Sequence, residues 1–157
     1  MTRARNTAAA FRWIVDLLRR RHVKFKLSGG LAARVYGSRR ELNDIDIFLD
    51  ERDIIALAPS LRRFAIFGPK RYRDRNWDVF LLTVRYRGQD IDLAGVRTVR
   101  IFDAHRHRWR KNPARLSTST RKRLYGLTVP VVTKSDLLEY KKSLNRRVDR
   151  LDVGQIN

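Results

Sequence analysis

Asn43-Asp44-Ile45-Asp46-Ile47-Phe48 indicates the fold most clearly, because acidic and apolar residues alternate in it. Successive side chains of a strand point to opposite faces, so Asp44 and Asp46 share one face and Ile45 and Ile47 the other. Two carboxylates this close repel each other unless a cation joins them, and Mg²⁺ prefers oxygen ligands. The alternation therefore predicts a strand over residues 44–49 with a metal-binding face. It also fits an exposed strand with two solvated aspartates.

A second acidic strand, Gln89-Asp90-Ile91-Asp92-Leu93, follows later in a chain that has few acids. Asp92 lies between two apolar residues, as Asp46 does, whereas Asp90 lies near a turn. We therefore expect Asp92, rather than Asp90, to supply a third carboxylate. Three carboxylates could hold two metal ions, of which one activates an attacking hydroxyl and the other stabilises the leaving oxygen.

A glycine pair precedes the first acidic strand in Ser28-Gly29-Gly30, between a predicted strand and a predicted helix. Glycine allows close approach of the backbone to a phosphate, and the N–H groups at a helix start point towards the anion. The pattern thus suggests a phosphate-binding turn, although a glycine pair at a strand end is more often a simple turn.

Periodicity along the chain predicts helices alternating with strands, which implies an α+β domain. Asn6 or Thr7 is expected to cap a helix that ends near residue 21. A half-buried strand is predicted over residues 22–27, with Lys24 and Lys26 on its polar side. Helices are predicted over residues 31–36 and 53–63, and a hairpin of two strands over 79–86 and 91–96. An extended piece over 129–132 is followed by a helical segment over about 133–155 that Thr133 or Ser135 would cap. Residues 97–120 are expected to form a long loop or a mobile flap. No linker divides residues 1–157, which predicts one domain.

The charge is the outlier of the composition: 36 Lys and Arg face 16 Asp and Glu, giving a formal charge of +20, and 28 of the 36 are arginine. Such a surface attracts polyanions, and the arginine fork suits phosphate oxygens. The partner would be a nucleic acid or a triphosphate, unless an Arg-rich genome or a thermophilic habit accounts for the charge.

The composition also excludes some classes of protein. Without cysteine, neither disulfides nor thiolate metal sites can form. No apolar stretch reaches 18 residues and no signal-like N-terminus is present, so a cytoplasmic protein without a membrane partner is expected.

Lys141 interrupts an apolar helical stripe that contains Leu137, Leu144 and Val148. A lysine on such a face is costly unless its ammonium reaches water or meets an anion. The anion could be a triphosphate or an acidic partner, and the sequence leaves these alternatives open.

Together, these motifs resemble the polymerase-β-like nucleotidyltransferases, in which a glycine-rich turn precedes an Asp-x-Asp strand and a later strand adds a third carboxylate. Ser28-Gly-Gly-Leu-Ala-Ala-Arg-Val-Tyr-Gly37 is similar to small stand-alone members, including toxin-type and minimal enzymes. The closing segment, from Val129 through Lys141 to Arg146-x-x-Asp149-x-x-Asp152, is similar to the end of those members. The resemblance covers about residues 23–50, 79–96 and 129–153, and it is poor over residues 97–128.

The resemblance implies a mixed sheet of four to six strands with helices mainly on one face. It implies a transferase that moves a nucleoside monophosphate from a triphosphate, such as ATP, to an acceptor hydroxyl. Asp44, Asp46 and Asp92 would be the catalytic carboxylates and the ligands of two Mg²⁺ ions. The nucleotide-binding residues would be Ser28, Gly29, Gly30, Arg39, Arg40 and Lys141.

The surplus of positive charge makes RNA, with a tRNA-like molecule preferred, the expected acceptor or ligand. The nucleic-acid contacts are placed at Arg108, Trp109, Arg110 and Lys111, where arginine flanks an aromatic ring. Two alternatives remain: a non-catalytic RNA- or DNA-binding module on the same fold, and a toxin–antitoxin component that acts on a protein partner.

Overall fold

A computed structural model of the chain describes residues 4–112 and 115–156. Its five α-helices, in chain order α1 to α5, are Thr7–Arg20, Gly29–Val35, Glu51–Leu61, Lys134–Leu144 and Arg147–Gln155. Its nine strands, β1 to β9, are Phe25–Ser28, Asp44–Leu49, Ala65–Arg73, Trp77–Tyr86, Gln89–Gly95, Arg100–Asp103, Arg108–Lys111, Thr120–Leu124 and Leu127–Val131. A short 3₁₀ helix, Arg62–Phe64, connects α3 to β3.

The described strands form one sheet in the order β7-β6-β4-β5-β2-β1-β9-β8. Strand β3 lies outside this order and pairs with β4. The pairs β2–β5 and β1–β9 are parallel and the others antiparallel, so the sheet is mixed. The predicted α+β class is therefore confirmed. The predicted size of four to six strands is wrong, because nine strands are described.

The additional strands lie where the sequence is basic and its alternation weak. Residues 97–120, predicted to be a loop or flap, contain β6 and β7, which form a hairpin, and reach the first residue of β8. β3 also went unpredicted, because Gly68 and Pro69 interrupt it. The outermost strands β7 and β8 bury little of their side chains, so charged residues are tolerated there and the apolar signal is weak.

Strand β1 differs from the half-buried strand predicted for residues 22–27. It lies between β2 and β9, and all four of its residues are buried. Lys26 is therefore inside, where its ammonium donates hydrogen bonds to the carbonyl oxygens of Arg115 and, at 3.1 Å, Thr118. Burial lowers the pKa of Lys26 to about 8, against the opposing attraction of Asp136.

Other elements agree with the sequence. Strand β2 covers residues 44–49 as predicted, with Ile45 and Ile47 fully buried on the face opposite the aspartates. The caps of α1 and α4 are Asn6, which accepts from the Ala9 N–H, and Thr133, which accepts from the Asp136 N–H. In the described part of the chain, no helix has the length and apolar character needed to cross a membrane.

Candidate active site

Strand register places four polar side chains in one row across the sheet. Ser28 of β1 pairs with Asp46 of β2, Asp46 with Asp92 of β5, and Asp92 with Thr83 of β4. Side chains directly opposite one another in paired strands point to the same face, so this row forms a continuous polar line. Asp44, two residues before Asp46 on β2, adds a further carboxylate to this face.

The carboxylates of the row resist ionisation. Burial and then repulsion from Asp44 raise the pKa of Asp46 to about 6, although Lys141, Arg146 and Arg40 oppose the shift. Burial and repulsion from Asp46 raise the pKa of Asp92 to about 7, although the hydroxyl of Thr83, which donates to Asp92 Oδ1 at 2.6 Å, opposes it. The pKa of Asp44 is also raised, by burial and by Asp90. A cation placed between these carboxylates would relieve the repulsion.

The glycine turn fits closely against Asp46. Gly29 has a φ of +63°, and a Cβ built on it would lie 2.0 Å from Asp46 Oδ2. Its N–H donates to the hydroxyl of Tyr140 at 2.9 Å, and that hydroxyl lies 3.2 Å from Ser28 Oγ. Glycine is thus required here by both backbone conformation and space.

We therefore expect Gly29→Ala to lower the free energy of unfolding by at least about 1–2 kcal/mol, the cost of a left-handed backbone alone. Gly154→Ala is the matched control, because Gly154 lies in α5, where an added methyl group would meet nothing within 4 Å and alanine favours a helix. Urea unfolding of the two variants measures the difference. Equal effects of the two substitutions would contradict this packing.

A buried cluster of charges lies behind the row. Lys141 of α4 is 1% exposed, and its ammonium lies 2.8 Å from Asp152 Oδ2 and 3.4 Å from Asp149 Oδ1. Asp152 also accepts from Ser38 at 2.6 Å and from the guanidinium of Arg40 at 2.8 Å. The contact with Asp152 Oδ2 is a buried ion pair. Lys141 therefore meets acids of its own chain and does not reach water.

Arg146 completes this cluster. Its guanidinium donates to both carboxylate oxygens of Asp149, at 2.7 and 3.1 Å. The backbone N–H of Arg146 also donates to Asp149 Oδ2, at 3.0 Å. Two acids of α5 thus hold three cations, Arg40, Lys141 and Arg146. All three cations also line the cavity in front of the carboxylates.

The cavity has a volume of about 490 Å³, within the range of small-molecule sites. Its polar lining comes from the glycine turn, the three cations, Asn43, Asp44, Asp46, Asp74, Thr83 and Asp92. Its apolar lining comes mainly from Tyr140 and from side chains of strands β2 to β5. These strand residues are Phe48, Ile66, Phe67, Tyr72, Trp77, Val79, Leu81 and Ala94.

Most of the residues predicted for the site lie together here. Ser28, Gly29, Gly30 and Arg40 join Lys141 and the three carboxylates around this cavity. Asp90 is outside the lining and pairs with Arg85 at 2.7 Å. Arg39 is exposed and also outside the lining, with its N–H donating to Gln155 at 2.7 Å.

The predicted nucleic-acid residues Arg108, Trp109, Arg110 and Lys111 form β7, at the end of the sheet, and none of them lines this cavity. Sequence reasoning missed Tyr140, Thr83 and Arg146 as parts of the site. Only Arg146 carried a signal, through its spacing from Asp149 and Asp152.

The carboxylates fit Mg²⁺ by the chemistry of their oxygen donors. Within residues 4–112 and 115–156, no group of three or more Asp, Glu or His side chains is arranged so that it could hold a metal ion by itself. Magnesium usually binds through one or two carboxylates, with water and substrate phosphates completing its coordination. The row is therefore compatible with Mg²⁺ that arrives with a phosphate ligand.

No family model and no curated protein matches this sequence. Solved structures do match it. A candidate nucleotidyltransferase from Thermotoga maritima has 19% identity and a TM-score of 0.70, with 90% of this chain and 86% of that chain covered. A lincosamide antibiotic adenylyltransferase with lincomycin bound has 16% identity and a TM-score of 0.61, with 96% of each chain covered. ANT(2″)-Ia, in complex with adenylyl-2″-tobramycin, has 12% identity and a TM-score of 0.54, with 85% and 74% covered. The resemblance inferred from the motifs is thus confirmed at the level of the fold, which this chain shares with the three nucleotidyltransferase structures.

Proposed function

We propose that this protein is a Mg²⁺-dependent nucleotidyltransferase. It would transfer a nucleoside monophosphate from a nucleoside triphosphate to an acceptor hydroxyl and release pyrophosphate. The oxygen of the acceptor would form a bond to the α-phosphorus as the bond to pyrophosphate breaks, and the acceptor proton would pass to a carboxylate. Residues 1–157 would act as one nucleotidyltransferase domain.

The observation that carries this proposal is the register of the polar row. It aligns a glycine turn and the carboxylates Asp46 and Asp92 across three neighbouring strands. Both carboxylates have raised pKa values in the absence of a cation.

Arg40 and Arg146, whose side chains are 15% and 36% exposed, would contact the triphosphate, and the buried ammonium of Lys141 would attract it without direct contact. Arg40, Lys141 and Arg146 line the cavity beside the glycine turn, and their partners Asp149 and Asp152 fix their positions. Fixed cations stabilise the charge that develops on a leaving pyrophosphate better than mobile ones do. Gly29 and Gly30, at the start of α2, would approach the phosphates most closely.

Two Mg²⁺ ions would be held by Asp44, Asp46 and Asp92. When bound, they would lower the pKa of the acceptor hydroxyl and stabilise the leaving oxygen. The residues of the chain would orient the two substrates and exclude water around them.

An RNA acceptor stays a prediction. The side chains proposed for it are partly engaged within the fold: Arg110 lies 3.4 Å from Asp103 and 3.8 Å from Glu139, and the guanidinium of Arg73 lies 5.0 Å above the ring of Trp109. A non-catalytic nucleic-acid-binding module would bind RNA with an affinity that Asp46→Asn does not change. A toxin that acts on a protein would arrest growth on expression in a manner that Asp44→Ala abolishes.

The test is a transfer assay with each labelled nucleoside triphosphate in turn, with Mg²⁺, and with either total cell RNA or a small-molecule cell extract as the acceptor source. The proposal predicts label in a new species for at least one nucleotide, lost on addition of a chelator. Chelator-sensitive transfer should persist in Asp16→Asn, a control whose side chain is 66% exposed on α1. No transfer with any nucleotide, together with no Mg²⁺-dependent nucleotide binding, would overturn the proposal.

A further inference from the structure

We propose that the hairpin of β3 and β4 binds the acceptor, and that the acceptor is a small, ring-bearing hydroxyl compound. This inference rests on the nucleotide transfer proposed above and deepens it. It concerns the apolar part of the cavity, at the end of the polar row that lies away from the glycine turn.

The direction of the reaction places the acceptor at β4. In phosphoryl chemistry, the attacking and leaving oxygens lie roughly in line on opposite sides of phosphorus. The glycine turn and the cations lie at the β1 end of the polar row, so the pyrophosphate would leave towards Ser28 and Gly29. The attacking hydroxyl must then come from the other end of the row, which is formed by Asp92 and Thr83.

At this end of the row, one carboxylate oxygen of Asp92 is available to an acceptor hydroxyl. The hydroxyl of Thr83 donates to Asp92 Oδ1 at 2.6 Å, which leaves Oδ2 of the same carboxylate for a second donor. An acceptor hydroxyl that donates a hydrogen bond to Oδ2 would have its oxygen beside the polar row, where the phosphorus would lie. Thr83 would hold the carboxylate in position for this contact.

The floor beyond Asp92 and Thr83 is apolar. Leu81, Val79 and Trp77 precede Thr83 at intervals of two along β4, so they share its face. All three line the cavity. Ala94 of β5, two residues after Asp92, pairs with Leu81. The ring of Trp77 contacts that of Tyr140 edge-on, with centroids 6.2 Å apart. A ring of the acceptor would lie over this floor, with its hydroxyl at Asp92.

The rim of the same chamber is also apolar. Ile66 of β3 is 49% exposed, which is unusual for so large an apolar side chain, and it lines the cavity beside Phe67. The β3–β4 register shifts on both sides of Phe67, and such irregularities are common next to binding sites because they redirect side chains. The ring of Phe67 packs edge-on against Tyr72 at 5.8 Å.

The hairpin carries five cations, Lys70, Arg71, Arg73, Arg75 and Arg85, but none of them lines the cavity, so the hairpin's charge inside the cavity disfavours a polynucleotide there. Between residues 65 and 86, the only charged side chain in the cavity lining is Asp74. Its carboxylate is held at the mouth by the hydroxyl of Tyr72 and by the N–H groups of Asn76 and Trp77, each at 2.8 Å. A carboxylate repels phosphate groups, and the part of the hairpin that lines the cavity offers no cation to bind them. A neutral or cationic small molecule therefore fits better than the end of an RNA chain.

The three tryptophans of the chain provide a test that needs no turnover. Trp77 lies in the chamber, Trp109 lies on β7 where RNA contacts were predicted, and Trp13 stacks on Tyr86 at 4.3 Å outside the cavity. The indole N–H signals of ¹⁵N-labelled protein are followed by NMR during titration with 2-phenylethanol, with glycerol and with a short single-stranded RNA. The expected result is a saturable shift of Trp77 with 2-phenylethanol alone, without a shift of Trp13 or Trp109.

Substitutions locate the binding site. Leu81→Gln is expected to weaken 2-phenylethanol binding by about tenfold or more, as polar changes in apolar subsites do. Ile66→Gln should weaken binding less; its side chain is already half exposed, so it remains informative if Leu81→Gln fails to fold. Ile55→Gln, a matched control whose side chain is 59% exposed outside the cavity, should leave the affinity unchanged.

The outcomes separate this inference from the proposed function. No shift of Trp77 with 2-phenylethanol, or equal affinity in Ile66→Gln and Ile55→Gln, overturns the acceptor chamber. Nucleotide transfer only to RNA, with RNA shifting Trp77, overturns it while the proposed function stands. Mg²⁺–triphosphate that leaves the Gly29 amide signal unmoved, with no transfer to any acceptor, overturns the proposed function instead.

Discussion

Asp46→Asn is expected to reduce nucleotide transfer by about 10³-fold or more, equivalent to about 4 kcal/mol of transition-state stabilisation. Asp46 occupies the centre of the polar row, between Ser28 and Asp92, and touches the glycine turn. Its substitution would remove a proposed metal ligand without changing the size of the side chain. Asp44→Asn should have an effect of the same order, measured in the same assay with saturating Mg²⁺.

The same substitution should stabilise the metal-free protein at high pH. The pKa of Asp46 in the folded protein is about 6, above its ordinary value of 3.8, so the folded state binds more protons than the unfolded state between these values. The contribution of this carboxyl to stability is therefore fully present below its ordinary pKa of 3.8 and is lost as the pH rises from there through about 6. Asp46→Asn removes this loss and also relieves the repulsion that raises the pKa of Asp92.

Thermal unfolding in a chelator at about pH 5 and about pH 8 measures this effect, in the range where linkage to these carboxylates operates. The melting temperature of the wild type should fall more between the two pH values than that of Asp46→Asn. Asp16→Asn, an exposed control, should behave as the wild type. An Asp46→Asn variant that retains transfer, or that melts lower than the wild type at the higher pH, contradicts the proposed role of this carboxylate.

Asp152→Ala is expected to lower the free energy of unfolding by about 3–5 kcal/mol, the usual cost of removing one partner from a buried ion pair. Asp152 is fully buried and contacts Lys141, Arg40 and Ser38. Burial would raise the pKa of Asp152, but its contacts with Arg40, Lys141 and Ser38 hold that pKa below its ordinary value. Its loss leaves Lys141 buried, with Asp149 at 3.4 Å as its nearest acid.

Urea unfolding measures this cost. Asp16→Ala is the matched control: Asp16 and Arg20 form an exposed pair on α1 at 3.0 Å, and such pairs contribute about 0.3–0.5 kcal/mol. A cost for Asp152→Ala close to that of Asp16→Ala would show that the cluster does not hold the three cations. Asp152→Asn, which keeps a hydrogen-bond acceptor for Ser38 and Arg40, should fall between the two.

The acidic strands could be predicted from the sequence because their signal is local. Strand β2 has the predicted bounds, since Ile45 and Ile47 alternate with aspartates and only one face can be buried. The same reasoning preferred Asp92 to Asp90, and Asp92 is the one that lines the cavity. A two-residue alternation was sufficient to predict these strands, because each strand carries both the buried apolar residues and the acidic residues.

The rest of the site depends on contacts between distant parts of the chain. Tyr140 reaches Gly29 over 111 positions of sequence, and Ser38 reaches Asp152 over 114. The acidic partners of Lys141 lie on the next helix, which returns because Asn145 adopts a left-handed conformation with φ of 51°. No periodicity within one element indicates such pairings, so the sequence left the partner of Lys141 open.

The proposed function requires that the group transferred from the triphosphate to the acceptor is the nucleoside monophosphate and not the terminal phosphate. The direct measurement compares two preparations of the same triphosphate, one labelled at the α-phosphorus and one at the γ-phosphorus, with Mg²⁺ and the acceptor identified in the transfer assay. We expect the α label in the modified acceptor and the γ label in pyrophosphate, with both transfers lost in Asp46→Asn. A γ label in the acceptor, or an α label that reaches it equally well in Asp46→Asn, would contradict this claim.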